Sequence, residues 1–309
     1  MSTHVVVGAG PVGSAVARQL LAQGHQVKVV TRSGSGVEGT ERIAADAGDA
    51  ERLSEIAEGA VAIYNCVNPP YDKWVEQWPP IAHALLVAAE RSGAVLAVTG
   101  NLYVYGEVDG PMTEDTPMAA TGIKGGVRRA MTEEAFALHR AGRIRTFEVR
   151  GSDYLGGNSY LATVITPAFR KGKRAYVPAD LDKPHTFTNV EDVARLMIVG
   201  VQDERAWGQV WHVPSAAPTT MRKVAELAAV ELGAQCKVSS MPYWVVWTAG
   251  LFNPFIKELR ETQHQFRKPF VLDSTKAQQT FGLTPAPLLD SIRLDLANDV
   301  NAKATSDGG

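Results

Sequence analysis

Three glycines open the chemistry of this chain. They lie in the run Gly8-Ala9-Gly10-Pro11-Val12-Gly13, which follows the β-branched stretch His4–Val7 and precedes an apolar-periodic stretch over Pro11–Gln23. G-x-G-x-x-G between a strand and a helix is a pyrophosphate cradle. Gly8 permits the tight turn, Gly10 lets the backbone approach the phosphates, and Gly13 lets the helix pack against the strand. Pro11 and Val12 begin the helix, whose free N–H groups and positive dipole end face the anion. The second strand ends in Val29-Val30-Thr31-Arg32-Ser33. It lacks the carboxylate that would accept from a ribose 2′-OH. Arg32 offers a charge-assisted clamp for a 2′-phosphate, with Thr31 and Ser33 adding hydroxyls. The dinucleotide implied is therefore NADP.

Proton-transfer candidates come later in the chain. Tyr103 and Tyr105 follow the apolar stretch Ala94–Val98, and Tyr154 follows Ile144–Val149. Thr99 and Asn101 stand beside the first pair, and Lys124 opens a long helical stretch. A cation at a helix start opposes the dipole, which favours a specific partner for Lys124. Tyr103 and Tyr105 are two residues apart, so at most one is expected to face the cofactor. The seven histidines show no metal-ligand spacing. No G-x-S-x-G elbow and no G-x-x-x-x-G-K-[ST] loop is present, which argues against an α/β-hydrolase and a P-loop ATPase.

These residues need strands and helices in alternation to hold them. Gln26–Val30, Ile43–Ala45 and Val61–Val67 read as further strands. Ala50–Glu58 (capped by Asp49), Trp74–Arg91 and Lys124–Arg140 read as helices. Continuous apolar strands between helices mean βαβ units on a parallel sheet buried on both faces. The second half reads less regularly. Helices are expected over Ser159–Phe169, Val190–Val201, Thr219–Leu232, Pro254–Gln265, Thr275–Phe281 and Leu288–Asp299, and short strands over Lys173–Val177, His185–Thr188 and Gln209–Val213. Tyr243, Trp247 and Leu251 at helical spacing, with Phe252 and Phe255 nearby, are read as core, as are Trp74 and Trp78. The basic run Arg170–Arg174 is read as a solvated turn.

The 309 residues correspond to roughly two domains. A net charge of −2 argues against nucleic acid or anionic lipid as a partner. Two distant cysteines, no basic leader and no apolar stretch of membrane-spanning length point to a soluble cytoplasmic protein with no membrane partner.

In this order and spacing the segments resemble the extended short-chain dehydrogenase/reductase family, in its epimerase/dehydratase branch. Ala45-Asp46-Ala47-Gly48-Asp49 looks like the segment whose Asp contacts adenine. Tyr64-Asn65-Cys66-Val67 looks like the strand end that lines the cofactor. Asn101-Leu102-Tyr103-Val104-Tyr105-Gly106, Arg150-Gly151-Ser152-Asp153-Tyr154-Leu155-Gly156, Phe187-Thr188-Asn189-Val190-Glu191-Asp192-Val193-Ala194, Asp273-Ser274-Thr275-Lys276 and Phe281-Gly282-Leu283 match later family segments. The resemblance implies an α/β fold: a Rossmann-type doubly wound parallel sheet over residues 1–171 and a smaller C-terminal substrate-binding domain over 172–309, with about 185–215 returning to the sheet. It implies cofactor contacts from Asp46, Asn65, Cys66, Val67, Lys124 and Ser152, and a homodimer through the two long helices.

The family's reaction uses a Tyr four residues before a Lys, the cation lowering the phenol's pKa and binding the nicotinamide ribose. With Lys124 as that Lys, the position four earlier is Ala120. No Tyr lies between Gly106 and Arg150, so no shift of register supplies one. Either another group moves the proton, or the protein binds NADP(H) as a sensor without chemistry. On the first reading Tyr103 is the replacement acid, Asn101 or Thr99 positions the substrate oxygen, and Tyr103, Asp153, Tyr154 and His185 meet a small carbonyl or alcohol substrate.

Overall fold

The computed structural model describes residues 1–251 and 260–306. The strands are β1 Thr3–Val7, β2 Gln26–Thr31, β3 Glu41–Ala44, β4 Ala62–Asn65, β5 Val95–Asn101, β6 Arg145–Gly151, β7 Asp153–Leu155, β8 Ala175–Val177, β9 Phe187–Asn189, β10 Val210–His212 and β11 Val238–Ser240. Seven form one sheet in the order β10-β6-β5-β4-β1-β2-β3, every pair parallel. The order reverses beside β1, which opens a crevice at the carboxyl ends of β1 and β4. Residues 210–212 supply the seventh strand, so this part of the second half does return to the sheet.

The helices are α1 Pro11–Ala22, α2 Ala50–Ala57, α3 Trp74–Ser92, α4 Ile123–Arg140, α5 Thr166–Arg170, α6 Val190–Gln202, α7 Met221–Glu231 and α8 Tyr243–Ala249. Further helices cover His264–Arg267, Thr275–Phe281 and Leu288–Ser306. Successive side chains of a strand point to opposite faces. Accordingly Val6 packs with Val16 and Leu20 of α1 and Leu196 and Met197 of α6, while Val5 and Val7 pack with Leu53 of α2 and Trp74, Trp78 and Leu85 of α3. A third apolar cluster, around Leu161, Ile165, Phe169, Val224 and Phe266, holds the smaller lobe together. There β8 pairs with β11, and β7 pairs with β9.

Some sequence expectations need correction. Ser159–Phe169 is not one α-helix: a wide π turn over Leu161–Ile165 precedes α5. Pro167, within α5, has no N–H to give to the preceding turn. β7 and β11 lie in segments too short to show a period. The aromatic run of α8 is not core. The helix buries Val246 and leaves Trp244 and Trp247 68% and 47% exposed, with Leu251 exposed beyond it. Arg260 and Arg267 lie over the rings of Trp247 and Tyr243. Phe252, Phe255 and most of the helix expected over residues 254–265 lie outside the described residues. Arg170–Arg174 is an exposed turn. Among the described residues no helix is long and apolar enough to cross a membrane, and no group of three His, Cys, Asp or Glu is placed to hold a metal.

Candidate active site

A cleft of about 1310 Å³ runs along the carboxyl ends of the strands and down between the two lobes. At one end lies the glycine turn. Gly8 has φ +99°, and a Cβ there would stand 2.7 Å from the Cys66 carbonyl oxygen. A Cβ on Gly13 would stand 1.9 Å from the Gly8 carbonyl oxygen, whereas one on Gly10 would meet nothing. The first two glycines are thus required by packing. The third keeps open the approach a phosphate needs. Gly10 caps α1 without a side-chain hydrogen bond, and no acidic residue occupies the first turn, so the N-terminal N–H groups are left for an anion. Gly8, Gly10, Pro11 and Val12 line the cleft. These residues fit a dinucleotide.

The adenine-side residues divide. Thr31, Arg32 and Asp46 line the cleft; Ser33 does not. The Thr31 hydroxyl donates to the Ser35 carbonyl (2.8 Å), and that of Ser33 to the Ser35 hydroxyl (2.9 Å), so both are used within their own loop. Of these three, Arg32 lines the cleft without a bond inside this loop among the described residues. Asp46 accepts from the Gly48 N–H at 2.8 Å, which holds the turn leading to α2. Cys66 and Val67 line the cleft. Asn65 does not: it is buried and accepts from the Val67 N–H at 3.2 Å, so it shapes the loop.

At the other end, β5 runs into a 3₁₀ turn over Leu102–Tyr105 rather than an extended segment. Asn101 caps this turn by accepting from the Tyr103 N–H at 3.1 Å. The turn sends the two tyrosines apart. Tyr103 lines the cleft, and its hydroxyl is 2.8 Å from that of Tyr71. Tyr105 points into a separate apolar cluster and bonds His212 at 2.8 Å. Tyr154 lines the cleft, but its hydroxyl donates to the Gly100 carbonyl at 2.8 Å. In the cleft wall the Tyr71 and Tyr103 hydroxyls thus form a pair, and Tyr103 also bonds Gln265. Burial, then the Tyr71 and Asp153 charges, hold the Tyr103 phenol well above its ordinary value. Burial also raises Tyr71.

Thr99, Ser152 and Asp153 line the same end. The Thr99 hydroxyl points to Met197 Sδ at 3.3 Å, and the buried Ser152 hydroxyl has no partner. Asp153 accepts from His185 Nε2 at 2.5 Å. His185 is buried, stacked near Phe266 and Phe270, and does not reach the cleft wall itself. It acts on the site through Asp153. Sequence reading grouped both as substrate contacts; only Asp153 faces the cleft.

Lys124 is the largest departure. It is 1% exposed and absent from the cleft wall. Its ammonium lies 3.5 Å from Glu261 and over the Tyr71 ring. Glu261 also accepts the Lys124 backbone N–H at 2.7 Å, capping α4, whose own cap residue Gly122 offers no side chain. This is the partner that a cation at a helix start demands. The cation that lines this end of the cleft is Arg128, one helical turn later. Taken from Arg128, the position four residues earlier is Lys124, so neither register supplies a Tyr. Ala120 lies before the helix, its N–H bonded to the Val104 carbonyl. Sequence reading missed both Arg128 and Tyr71. The i,i+4 spacing of Lys124 and Arg128 was the available signal for Arg128.

The sequence profile of the NAD-dependent epimerase/dehydratase family matches residues 4–213. The chain belongs to that family. Among curated proteins no match was found. Solved structures of similar fold include a UDP-glucose 4-epimerase (17% identity, 97% of this chain and 98% of that chain, TM-score 0.79). A second is the UDP-glucose 4-epimerase of Thermotoga maritima with UDP-glucose (16%, 96% and 97%, TM-score 0.78). A third is the dTDP-glucose 4,6-dehydratase of Bacillus anthracis in complex with NAD (16%, 96% and 97%, TM-score 0.76).

Proposed function

We propose that the protein is an NADP(H)-dependent oxidoreductase or epimerase-like enzyme acting on a small carbonyl or alcohol substrate. The observation that carries this reading is the Tyr71–Tyr103 hydroxyl pair in the wall of the cleft that begins at the glycine turn. The glycine turn and the α1 N-terminus hold the pyrophosphate, and Arg32 holds the 2′-phosphate. When bound, the nicotinamide supplies or accepts a hydride at its C4 carbon. Tyr103 donates the proton to the substrate oxygen as the carbonyl is reduced. The buried phenol holds its proton at neutral pH, so it is present in the donating form, although burial makes it a weaker acid than a free phenol. Tyr71 returns a proton to Tyr103 along their 2.8 Å contact and regains one from solvent entering the cleft that both line. Asp153, fixed by His185, supplies the polar boundary of the substrate space.

The test is NADPH oxidation against a carbonyl panel with Tyr103→Phe beside the parent. Loss of one general acid lowers kcat by roughly a hundredfold or more, with NADPH affinity unchanged. Unchanged kcat in the variant overturns the role of Tyr103. A second reading, an NADP(H) sensor without turnover, draws on Ala120 and on the engagement of Lys124 with Glu261. Tight NADPH binding with no turnover on any carbonyl would decide for it.

A further inference from the structure

The reaction end of the cleft contains a buried cation that no carboxylate of the described residues contacts. Arg128 is 6% exposed. Its guanidinium lies 4.9 Å from the Trp74 ring centre and 4.3 Å from that of Trp78. Nη1 donates to the Thr99 carbonyl at 3.2 Å, and Nε has no partner. Among the described residues no carboxylate is within ion-pair distance. The nearest candidates are committed elsewhere. Glu148 accepts from Arg150 at 2.8 Å and from the Thr132 hydroxyl at 2.5 Å, and Asp153 bonds His185. Glu148 attracts Arg128 from a distance but is bonded to Arg150, so no carboxylate of the described residues contacts Arg128 directly. Burial accordingly pulls its pKa below the ordinary guanidinium value. Stacking on two indoles offsets part of that cost, but a buried cation is fully compensated only by an anion.

We infer that Arg128 receives an anionic oxygen of the substrate, and that the substrate class is a carboxylate-bearing carbonyl such as a 2-oxo acid. A guanidinium is a planar fork that matches a carboxylate through two parallel N–H···O bonds, and the indole seat fixes the plane of the fork. The Thr99 carbonyl ties that fork to the end of β5, beside the strand end that leads to Tyr103. A carboxylate held there leaves the adjacent carbonyl on the side of the Tyr71–Tyr103 hydroxyls. The inference deepens the hydride-transfer reading and rests on it for the reaction, though not for the binding.

The experiment separates the two. Calorimetric titration of oxalate into the NADP⁺-loaded protein reads the anion site directly. Alongside it, NADPH oxidation is followed with pyruvate and phenylpyruvate and with their methyl esters. Oxalate is expected to bind, to lose on the order of a hundredfold in Arg128→Gln, and to be partly retained in Arg128→Lys, with NADPH affinity held in both. The acids should outpace their esters in the parent and lose that lead in Arg128→Gln. If Arg128→Gln does not fold, Arg128→Lys carries the test, and a tenfold or greater weakening of oxalate at unchanged NADPH affinity supports the fork. Oxalate that fails to bind, or binds parent and variants equally, overturns the inference, as does a loss confined to NADPH. Turnover of acids and esters alike, without dependence on Arg128, sinks the anion site and leaves hydride transfer standing. Arg128-dependent oxalate binding with no turnover of any carbonyl does the reverse.

Discussion

The two ends of the cleft are built on different principles. The phosphate end is backbone: glycines, a helix N-terminus and strand ends, with one side chain, Arg32, adding charge. The reaction end is side chains: two tyrosines, an Asp–His pair, and an arginine set on two tryptophans. A backbone site tolerates almost no substitution, because the constraint is the space of one Cβ. A side-chain site can exchange its groups while keeping the scaffold. The family match spans residues 4–213 and so takes in both ends.

The sharpest challenge to this contrast is Gly13→Ala. Its Cβ would sit 1.9 Å from the Gly8 carbonyl oxygen, so the turn itself must move. NADP(H) affinity should fall by more than a hundredfold, and stability by roughly 1–3 kcal/mol, seen in fluorescence titration and thermal melts. A variant that binds normally shows that the phosphate end is more forgiving than a backbone site can be. Next comes Arg32→Ala, the one side-chain element of that end. It should weaken NADPH roughly tenfold to a hundredfold, the worth of a charge-assisted bond, and leave NADH unchanged. Equal weakening of both removes the 2′-phosphate role.

The smallest effect lies away from both ends. His4, buried in β1 and bonded to Tyr64 and Ser2, is pushed down to about 4, chiefly by burial and then by His25. His212, bonded to Tyr105, is also pushed down to about 4, chiefly by burial. Both are neutral in the fold, while the unfolded chain takes up their protons near 6.5. Stability is therefore full above that value, falls as pH drops through the window from about 6.5 to about 4, and is flat in this respect below it. Melting curves across that range should show a shallower acid-side slope for His4→Phe, with turnover at pH 7 unaffected.

The same contrast explains what could be read without coordinates. The glycine turn, the alternation of strands and helices around it and the helices over Pro11–Ala22 and Thr275–Phe281 were legible because local spacing alone sets them. Tyr103 was distinguishable from Tyr105 only in outline; the 3₁₀ turn that separates them is a product of Asn101 capping and tertiary packing. Arg128 stayed hidden because its meaning comes from Trp74 and Trp78, some fifty residues earlier, and from the prior commitment of Glu148 to Arg150. Lys124 was assigned by position in a motif, yet its geometry is decided by Glu261, 137 residues away. Trp244 and Trp247 have core-like spacing on a helix too short to bury them.

The Glu261 cap has a further consequence. A helix whose first turn is satisfied by a carboxylate from a distant segment shares one equilibrium with that segment. Displacing Glu261 would leave the Lys124 N–H at the start of α4 open and remove one carboxylate partner of its ammonium. By reciprocity, whatever steadies α4 must also steady the segment that bears Glu261. A ligand gripping Arg128 would therefore also steady, through α4, the distant segment that bears Glu261.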